Sequence, residues 1–195
     1  MSDLGPLYGK WVFLSASLPD PKDQAAAEKL EGFLYALARG ILTSGGGVVF
    51  GGHPSVTPLL ARFAKEARLP PGRIHLFQLE RFRGGEPPEV QLLVDLGQRV
   101  DWVPPRFGLD NTSEASFQAD LEEMRRLMVN AAADAAVFVG GKTADNVGGY
   151  PGIRMEHELF TRANPAAPTY VGGGLLGGGR PGLASGGGRA RSGAN

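Results

Sequence analysis

The chain has 195 residues, of which 42% are hydrophobic, enough for one soluble globular domain with its own core. Twenty basic and twenty acidic side chains cancel, which argues against a protein held on nucleic acid or on an anionic membrane by its overall charge. The absence of cysteine excludes disulfides, thiolate zinc sites and cysteine nucleophiles. Neither a secretory leader pattern nor an apolar run of membrane-spanning length is present, so we expect a cytoplasmic protein.

The first half of the chain alternates short apolar runs with amphipathic segments. We predict strands at residues 10–17, 48–50, 73–79 and 100–103, and helices at 23–42, from 55–57 to 67, and at 89–98. In the first helix one face carries Leu30, Phe33, Leu34, Leu37 and Ile41. Ser55 or Thr57 is predicted to cap the second helix, with Pro58 in its first turn.

The second half continues the alternation. Thr112 or Ser113 is predicted to cap a helix whose buried stripe consists of Phe117, Leu121, Met124, Met128 and Val129. A strand at 135–139, a helix at 152–163 and a last strand at 169–171 follow. This alternation predicts an α/β, Rossmann-like fold with a mostly parallel sheet and helices on both faces. We assign residues 1–171 to this domain and 172–195 to a glycine-rich tail.

Three predicted strands end in small or glycine-rich segments. These are Ser15-Ala16-Ser17, Gly51-Gly52-His53-Pro54 and Gly140-Gly141-Lys142-Thr143. The carboxyl ends of parallel strands share one edge of a sheet, where helix N-termini offer unpaired N–H groups to an anion. Glycines can also serve only to turn the chain tightly, but three such segments on one edge favour a nucleotide or phosphate site.

The familiar phosphate-binding fingerprints are missing. No GxGxxG follows the first strand, and GGKT lacks the upstream glycine of a Walker A loop, which disfavours an ATPase. Lys142 is either a cation for a pyrophosphate or an ordinary surface lysine, and its place at a strand end favours the first. The histidines at 53, 75 and 157 suggest no metal cluster, so we predict neither a metal nor a cofactor.

Residues 123–158, EMRRLMVNAAADAAVFVGGKTADNVGGYPGIRMEHE, resemble the LOG-like "lysine decarboxylase" phosphoribohydrolases. Arg125-Arg126 matches their basic pair, Asp134 their strand-opening acid, GGYPGI at 148–153 their glycine turn, and Glu156 the final acid of the motif. The resemblance extends over about Trp11 to Val171 and includes the wider SLOG superfamily, with its DprA-type and TRPM-channel domains. FLSAS, VVFGGH and VFVGGKT are most similar to SLOG domains found beside sirtuin-like and TIR-linked anti-phage effectors.

The resemblance implies a ligand of the adenine-nucleotide or ADP-ribose type. It implies that Arg125 contacts phosphate or ribose, together with backbone N–H groups near Gly141, Gly149 and Gly152. Glu156 would bind ribose hydroxyls or, in an enzyme, assist cleavage with Arg125. As candidate ligand-binding residues we therefore take Ser15, Ser17, Gly51, Gly52, His53, Arg125, Gly140, Gly141, Lys142, Thr143, Gly149, Gly152 and Glu156.

Departures from the hydrolase pattern favour binding over catalysis. This chain inserts GGKTADNV before the glycine turn and has GI where the hydrolases have GT, which would move Glu156 relative to a scissile bond. We expect a sensor of ADP-ribose, NAD or a cyclic ADP-ribose-like ligand, working with an effector protein on another chain. The alternatives are a nucleoside 5′-monophosphate phosphoribohydrolase and an assembly module with a vestigial site. We expect a homo-oligomer, as is common in the family.

Overall fold

A computed structural model describes residues 5–17, 24–132, 134–140 and 152–172. Within these ranges the strands are β1 (Trp11–Ser17), β2 (Gly47–Gly51), β3 (Ile74–Leu79), β4 (Arg99–Val103), β5 (Ala135–Gly140) and β6 (Thr169–Gly172). They form one sheet in the order β4-β3-β2-β1-β5-β6, and every neighbouring pair is parallel.

Helices cover both faces of this sheet, as the sequence predicted. They are α1 (Gln24–Thr43), α2 (Thr57–Glu66), α3 (Pro88–Asp95), α4 (Glu114–Ala131) and α5 (Gly152–Ala163). Side chains of α1, α2 and α3 form one core with Val12, Leu14, Val48, Phe50 and Leu76 of the sheet. Side chains of α4 and α5 form a second core with Phe13, Val49, Phe77 and Phe138. None of the helices in the described ranges is both long and apolar enough to cross a membrane.

The path of the chain explains why the helices divide in this way. From β1 to β4 the chain steps in one direction across the sheet, and α4 then returns so that β5 joins the other side of β1. Parallel crossovers are nearly always right-handed, so a reversal of direction moves the helices to the opposite face. The carboxyl ends of β1 and β5 thus mark the point where the strand order reverses, which is where open α/β sheets bind ligands.

Two helix starts test the predicted capping residues. Ser113 caps α4, since its Oγ accepts a hydrogen bond from the Ser116 N–H at 3.2 Å, which confirms one of the two predicted candidates. The predicted cap of α2 by Ser55 or Thr57 was wrong. Val56 occupies that position without a side-chain hydrogen bond, and the Thr57 hydroxyl instead donates to the His53 carbonyl at 3.1 Å. Pro58 lies in the first turn, as predicted.

The buried stripe of α1 differs from the prediction at two residues, Phe33 and Leu37, of which Leu37 is partly buried against the core. Ala26, Leu30, Leu34, Ala38, Ile41 and Leu42 are buried, whereas Phe33 is 38% exposed. The first four of these are spaced by four residues, so they define a stripe in which small alanines let the helix approach the sheet closely. Phe33 lies one residue away from that row and therefore at its margin.

Asp134, the acid that opens β5, joins the amino ends of two strands. Its carboxylate accepts a hydrogen bond from the Trp11 N–H at 2.9 Å and pairs with Lys10 Nζ at 2.8 Å. The hydrogen bond from Lys10, chiefly, lowers the pKa of Asp134. This residue therefore fastens β1 to β5 at the sheet edge opposite the carboxyl ends.

Candidate functional site

A cleft of about 360 Å³ opens at the carboxyl edge of the sheet, where β1 and β5 end. Its volume lies within the range of pockets that hold small molecules. The cleft is lined by Leu14, Ser15, Ala16, Ser17, Phe50, Gly51, Gly52, His53, Pro54, Val56, Gln78, Leu79, Phe82, Leu121, Met124, Arg125, Gly152, Ile153 and Glu156. Residues from β1, β2, β3, α4 and α5 therefore surround one space.

Eight of the predicted ligand-binding residues line this cleft. They are Ser15, Ser17, Gly51, Gly52, His53, Arg125, Gly152 and Glu156. Gly141, Lys142, Thr143 and Gly149 lie outside the described residues. The structure thus brings together segments that are far apart in sequence, while their role in binding stays a prediction.

Gly140 lies at the end of β5, next to Ser17, and is not part of the cleft lining. Its φ of 79° falls in the left-handed region, and a Cβ at this position would collide with the Ser17 carbonyl oxygen. Glycine is therefore required here so that β5 can turn away close to β1.

Arg125 and Glu156 meet across the gap between α4 and α5. Arg125 Nε donates to Glu156 Oε1 at 3.4 Å, and its Nη1 lies 3.4 Å from the Met155 sulfur. Only 12% of the Arg125 side chain and 17% of the Glu156 side chain are exposed. The guanidinium is also next to Gly152, where an added Cβ would lie 3.0 Å from Arg125 Nη2. Glycine at position 152 therefore leaves the space that the Arg125 guanidinium occupies at the start of α5.

The neighbouring basic and acidic residues do not share this environment. Arg126 is 55% exposed and pairs with Glu123 of its own helix at 2.6 Å. Glu158 is 47% exposed and pairs with Arg154 at 3.3 Å. Arg125 and Glu156 line the cleft, whereas Arg126 and Glu158 do not.

Burial raises the pKa of Glu156, although the Ser15 hydroxyl and the Arg125 guanidinium oppose the shift. A raised pKa favours the protonated carboxyl, which can donate a hydrogen bond. Protonation of Glu156 also leaves the positive charge of Arg125 uncompensated. The pair can therefore present either a neutral acid with a cation or a closed ion pair.

Ser15 brings a buried hydroxyl to the same place. The residue is 3% exposed. Its Oγ is close enough to Glu156 to affect the pKa of that carboxyl, but it forms no hydrogen bond of normal geometry with any described residue. Buried polar groups are nearly always satisfied in folded proteins. An incomplete hydroxyl in a cleft wall is therefore suited to a ligand.

His53 follows β2 and begins the turn into α2. Its carbonyl accepts hydrogen bonds from the Val56 and Thr57 N–H groups, at 3.0 and 3.1 Å. Its ring Nδ1 accepts from the Ser55 N–H at 3.3 Å, which assigns the proton of a neutral ring to Nε2. The backbone of His53 is thus structural, while its ring lines the cleft.

Sequence reasoning missed the apolar lining and one buried amide. Phe50, Val56, Leu79, Leu121 and Met124 cover much of the wall, and these residues read as ordinary core positions in the sequence. Gln78, near the end of β3, is 7% exposed. Its position within the mostly apolar run IHLFQL of β3 was the one available signal.

Comparison with known proteins gives a family match. A model of the SLOG cluster3 family matches residues 33–174, more than half of the chain and all elements from β2 to β6. No curated protein matches the chain.

Proposed function

The chain belongs to the SLOG cluster3 family, and we propose that it binds a nucleotide-derived ligand of the ADP-ribose, NAD or cyclic ADP-ribose type in the cleft at the carboxyl edge of its sheet. The membership supports a nucleotide-related binding domain or a LOG-like domain. The finer assignment is supported by the groups that line the cleft.

One observation carries the proposal. Ser15 from β1, Arg125 from α4 and Glu156 from α5 converge on one cleft, and the Ser15 hydroxyl lacks a partner among the described residues. A hydroxyl, a guanidinium and a carboxyl are the groups that bind ribose hydroxyls and phosphate oxygens. Such convergence from three separate elements is typical of a ligand site at the switch point of an α/β sheet.

The start of α5 suits an anion in particular. The first N–H groups of a helix have no partner within it, and they carry a partial positive charge. Gly152 and Ile153 of this first turn line the cleft beside Arg125. A phosphate can therefore be bound locally by a protein whose overall charge is zero.

We propose that the protein is a cytoplasmic sensor that acts within a homo-oligomer. Ligand binding in the cleft would be transmitted to an effector protein on another chain, as in anti-phage systems. Hydrolysis of the N-glycosidic bond of a nucleoside 5′-monophosphate is the second candidate. The raised pKa of Glu156 favours this hydrolysis, because a carboxyl that titrates closer to neutral pH is a better general acid.

Calorimetric titration with ADP-ribose, NAD and cyclic ADP-ribose tests the binding proposal. We expect Arg125→Met to weaken binding at least about tenfold, since a hydrogen bond to a charged group is lost. Arg126→Met is the matched control: the same change on the next residue, outside the cleft, should leave the affinity unchanged.

Chromatography of AMP incubated with the protein separates the two functions. Tight binding without turnover supports the sensor. Release of adenine that Glu156→Gln abolishes supports the hydrolase. Neither binding nor release would overturn both and leave the assembly module.

A further inference from the structure

The amide of Gln78 is a second polar group in the cleft lining, on a different strand from Ser15. Gln78 is 7% exposed, and no described residue makes a hydrogen bond with its side chain. Gln98, equally buried at 6% exposure, shows what a structural glutamine looks like in this protein. Its Oε1 accepts from the Arg73 and Ile74 N–H groups at 2.9 Å, and its Nε2 donates to the Pro70 carbonyl at 3.1 Å.

The structure makes space for the Gln78 amide. A Cβ at Gly52 would collide with Gln78 Oε1, so only glycine at this position lets the amide lie against the end of β2. Both residues line the cleft. An amide that lines a cleft, has no hydrogen-bonding partner among the described residues and is accommodated by a glycine has the properties of a ligand contact.

An exposed aromatic ring lies close to it in the chain. Phe82, in the short 3-10 turn Glu80–Phe82 that follows β3, lines the cleft and is 45% exposed. It makes a T-shaped contact with Phe117, with ring centroids 6.1 Å apart and planes at 78°. Large exposed aromatics in a concave site provide a stacking surface for a planar group.

The opposite side of the cleft differs in chemistry. Ser15, Arg125 and Glu156 provide hydroxyl, guanidinium and carboxyl groups, whereas the β3 side provides an amide and an aromatic ring. Ser15 is on β1 and Gln78 is on β3, two strands away, which corresponds to about 10 Å at normal strand spacing. A nucleotide has the same division, with a planar base at one end and ribose and phosphate at the other.

We propose that Gln78 and Phe82 form an adenine subsite, in which the ring of Phe82 stacks on the base and the Gln78 amide pairs with the N6 amine and N7. This inference rests on the proposed nucleotide binding and assigns the base end of that ligand. A glutamine amide pairs with adenine through one donor and one acceptor. Hypoxanthine offers two acceptors, O6 and N7, at the same edge, so the amide can satisfy only one of them.

Titrations with ADP-ribose and with its inosine counterpart test the subsite. We expect the wild-type protein to bind ADP-ribose about tenfold more tightly, the discrimination of one bidentate pair. Gln78→Met, of similar volume, should bring the two affinities to within about threefold of each other. Phe82→Ala should weaken the binding of both ligands by the same factor, about tenfold, because stacking on an aromatic ring does not depend on which base is bound.

A second measurement separates loss of recognition from loss of fold. Because no described residue bonds the Gln78 amide, Gln78→Met should leave the melting temperature unchanged or raise it, whereas Gln98→Met should lower it. Equal wild-type affinities for the two ligands, or a preference that survives Gln78→Met, would overturn the subsite and leave nucleotide binding intact. Absence of binding to either ligand would overturn the subsite, and absence of binding to NAD and cyclic ADP-ribose as well would overturn the proposed function.

Discussion

Gly152→Ala tests whether the position of Arg125 matters for ligand binding. The substitution adds one methyl group at the start of α5, and its carbon would lie 3.0 Å from Arg125 Nη2. Non-bonded contacts of this kind are favourable at about 3.5 Å or more, so the guanidinium must move by a few tenths of an ångström. The change thus displaces Arg125 without removing its charge.

The expected effects on stability and on affinity differ in size. Alanine is favoured over glycine by at most about 1 kcal/mol within a helix, and less in its first turn. The Arg125 to Glu156 contact is already long at 3.4 Å, so moving it costs little. A displaced guanidinium, by contrast, loses part of a charge-assisted hydrogen bond worth about 1.5–3 kcal/mol. A loss of about 1 kcal/mol corresponds to about fivefold weaker binding.

Calorimetric titration with ADP-ribose and urea unfolding measure the two quantities. Gly32→Ala is the matched control, because Gly32 is an exposed residue of α1 whose added Cβ would meet nothing within 4 Å. It should raise the free energy of unfolding by about 0.5–1 kcal/mol and leave the affinity unchanged. If Gly152→Ala binds ADP-ribose as tightly as the wild type, Arg125 does not hold the anion. If the free energy of unfolding of Gly152→Ala is more than about 2 kcal/mol below that of the wild type, the contact between Arg125 and Glu156 is structural.

Three further changes have separate outcomes. Asp120 is 1% exposed and accepts hydrogen bonds from Arg81 and from the Arg106 N–H. Asp120→Asn leaves the buried Arg81 guanidinium without a counter-charge, so it should lower the free energy of unfolding in urea by about 3 kcal/mol. A decrease below about 1 kcal/mol would contradict this. Asp134→Asn should cost about 1 kcal/mol at neutral pH, and because the pKa of Asp134 is lowered, this difference from the wild type should vanish as the pH falls through that pKa. Glu156 has a raised pKa, so its contribution to stability is complete below the ordinary glutamate pKa and is lost as the pH rises through the raised value. The free energy of unfolding of Glu156→Gln relative to wild type should therefore rise from acidic to neutral pH, and a flat difference would count against a buried, destabilised carboxylate.

The elements that the sequence predicted well have strong local signals. The predicted helix at 152–163 has the bounds that the structure gives α5, since glycine and proline mark its start and asparagine and proline follow its end. Ser113 and Ser116 define the start of α4 in the same local way. Short apolar runs bounded by glycine or proline located the strands within about one residue.

The features that were missed depend on tertiary contacts. Strand order is not encoded in local periodicity, so the neighbours of β1 could not be predicted. Arg81 and Asp120 form a buried pair although each is polar in a region that reads as surface. Gln78 is recognisable as a cleft residue only when Gly52 is placed beside it. Lys142, which the sequence singled out, lies outside the described residues.

The late return of α4 across the sheet has a consequence for synthesis on the ribosome. β2, β3 and β4 each pair with the strand made just before, so they can assemble as they emerge. The side of this half-built sheet that bears Phe13, Val49 and Phe77 has no cover until residues 114–131 arrive. We expect a chain halted at Val103 to bind a hydrophobic dye and to aggregate. A nascent chain should therefore need protection from chaperones during that interval, well before it can engage its ligand.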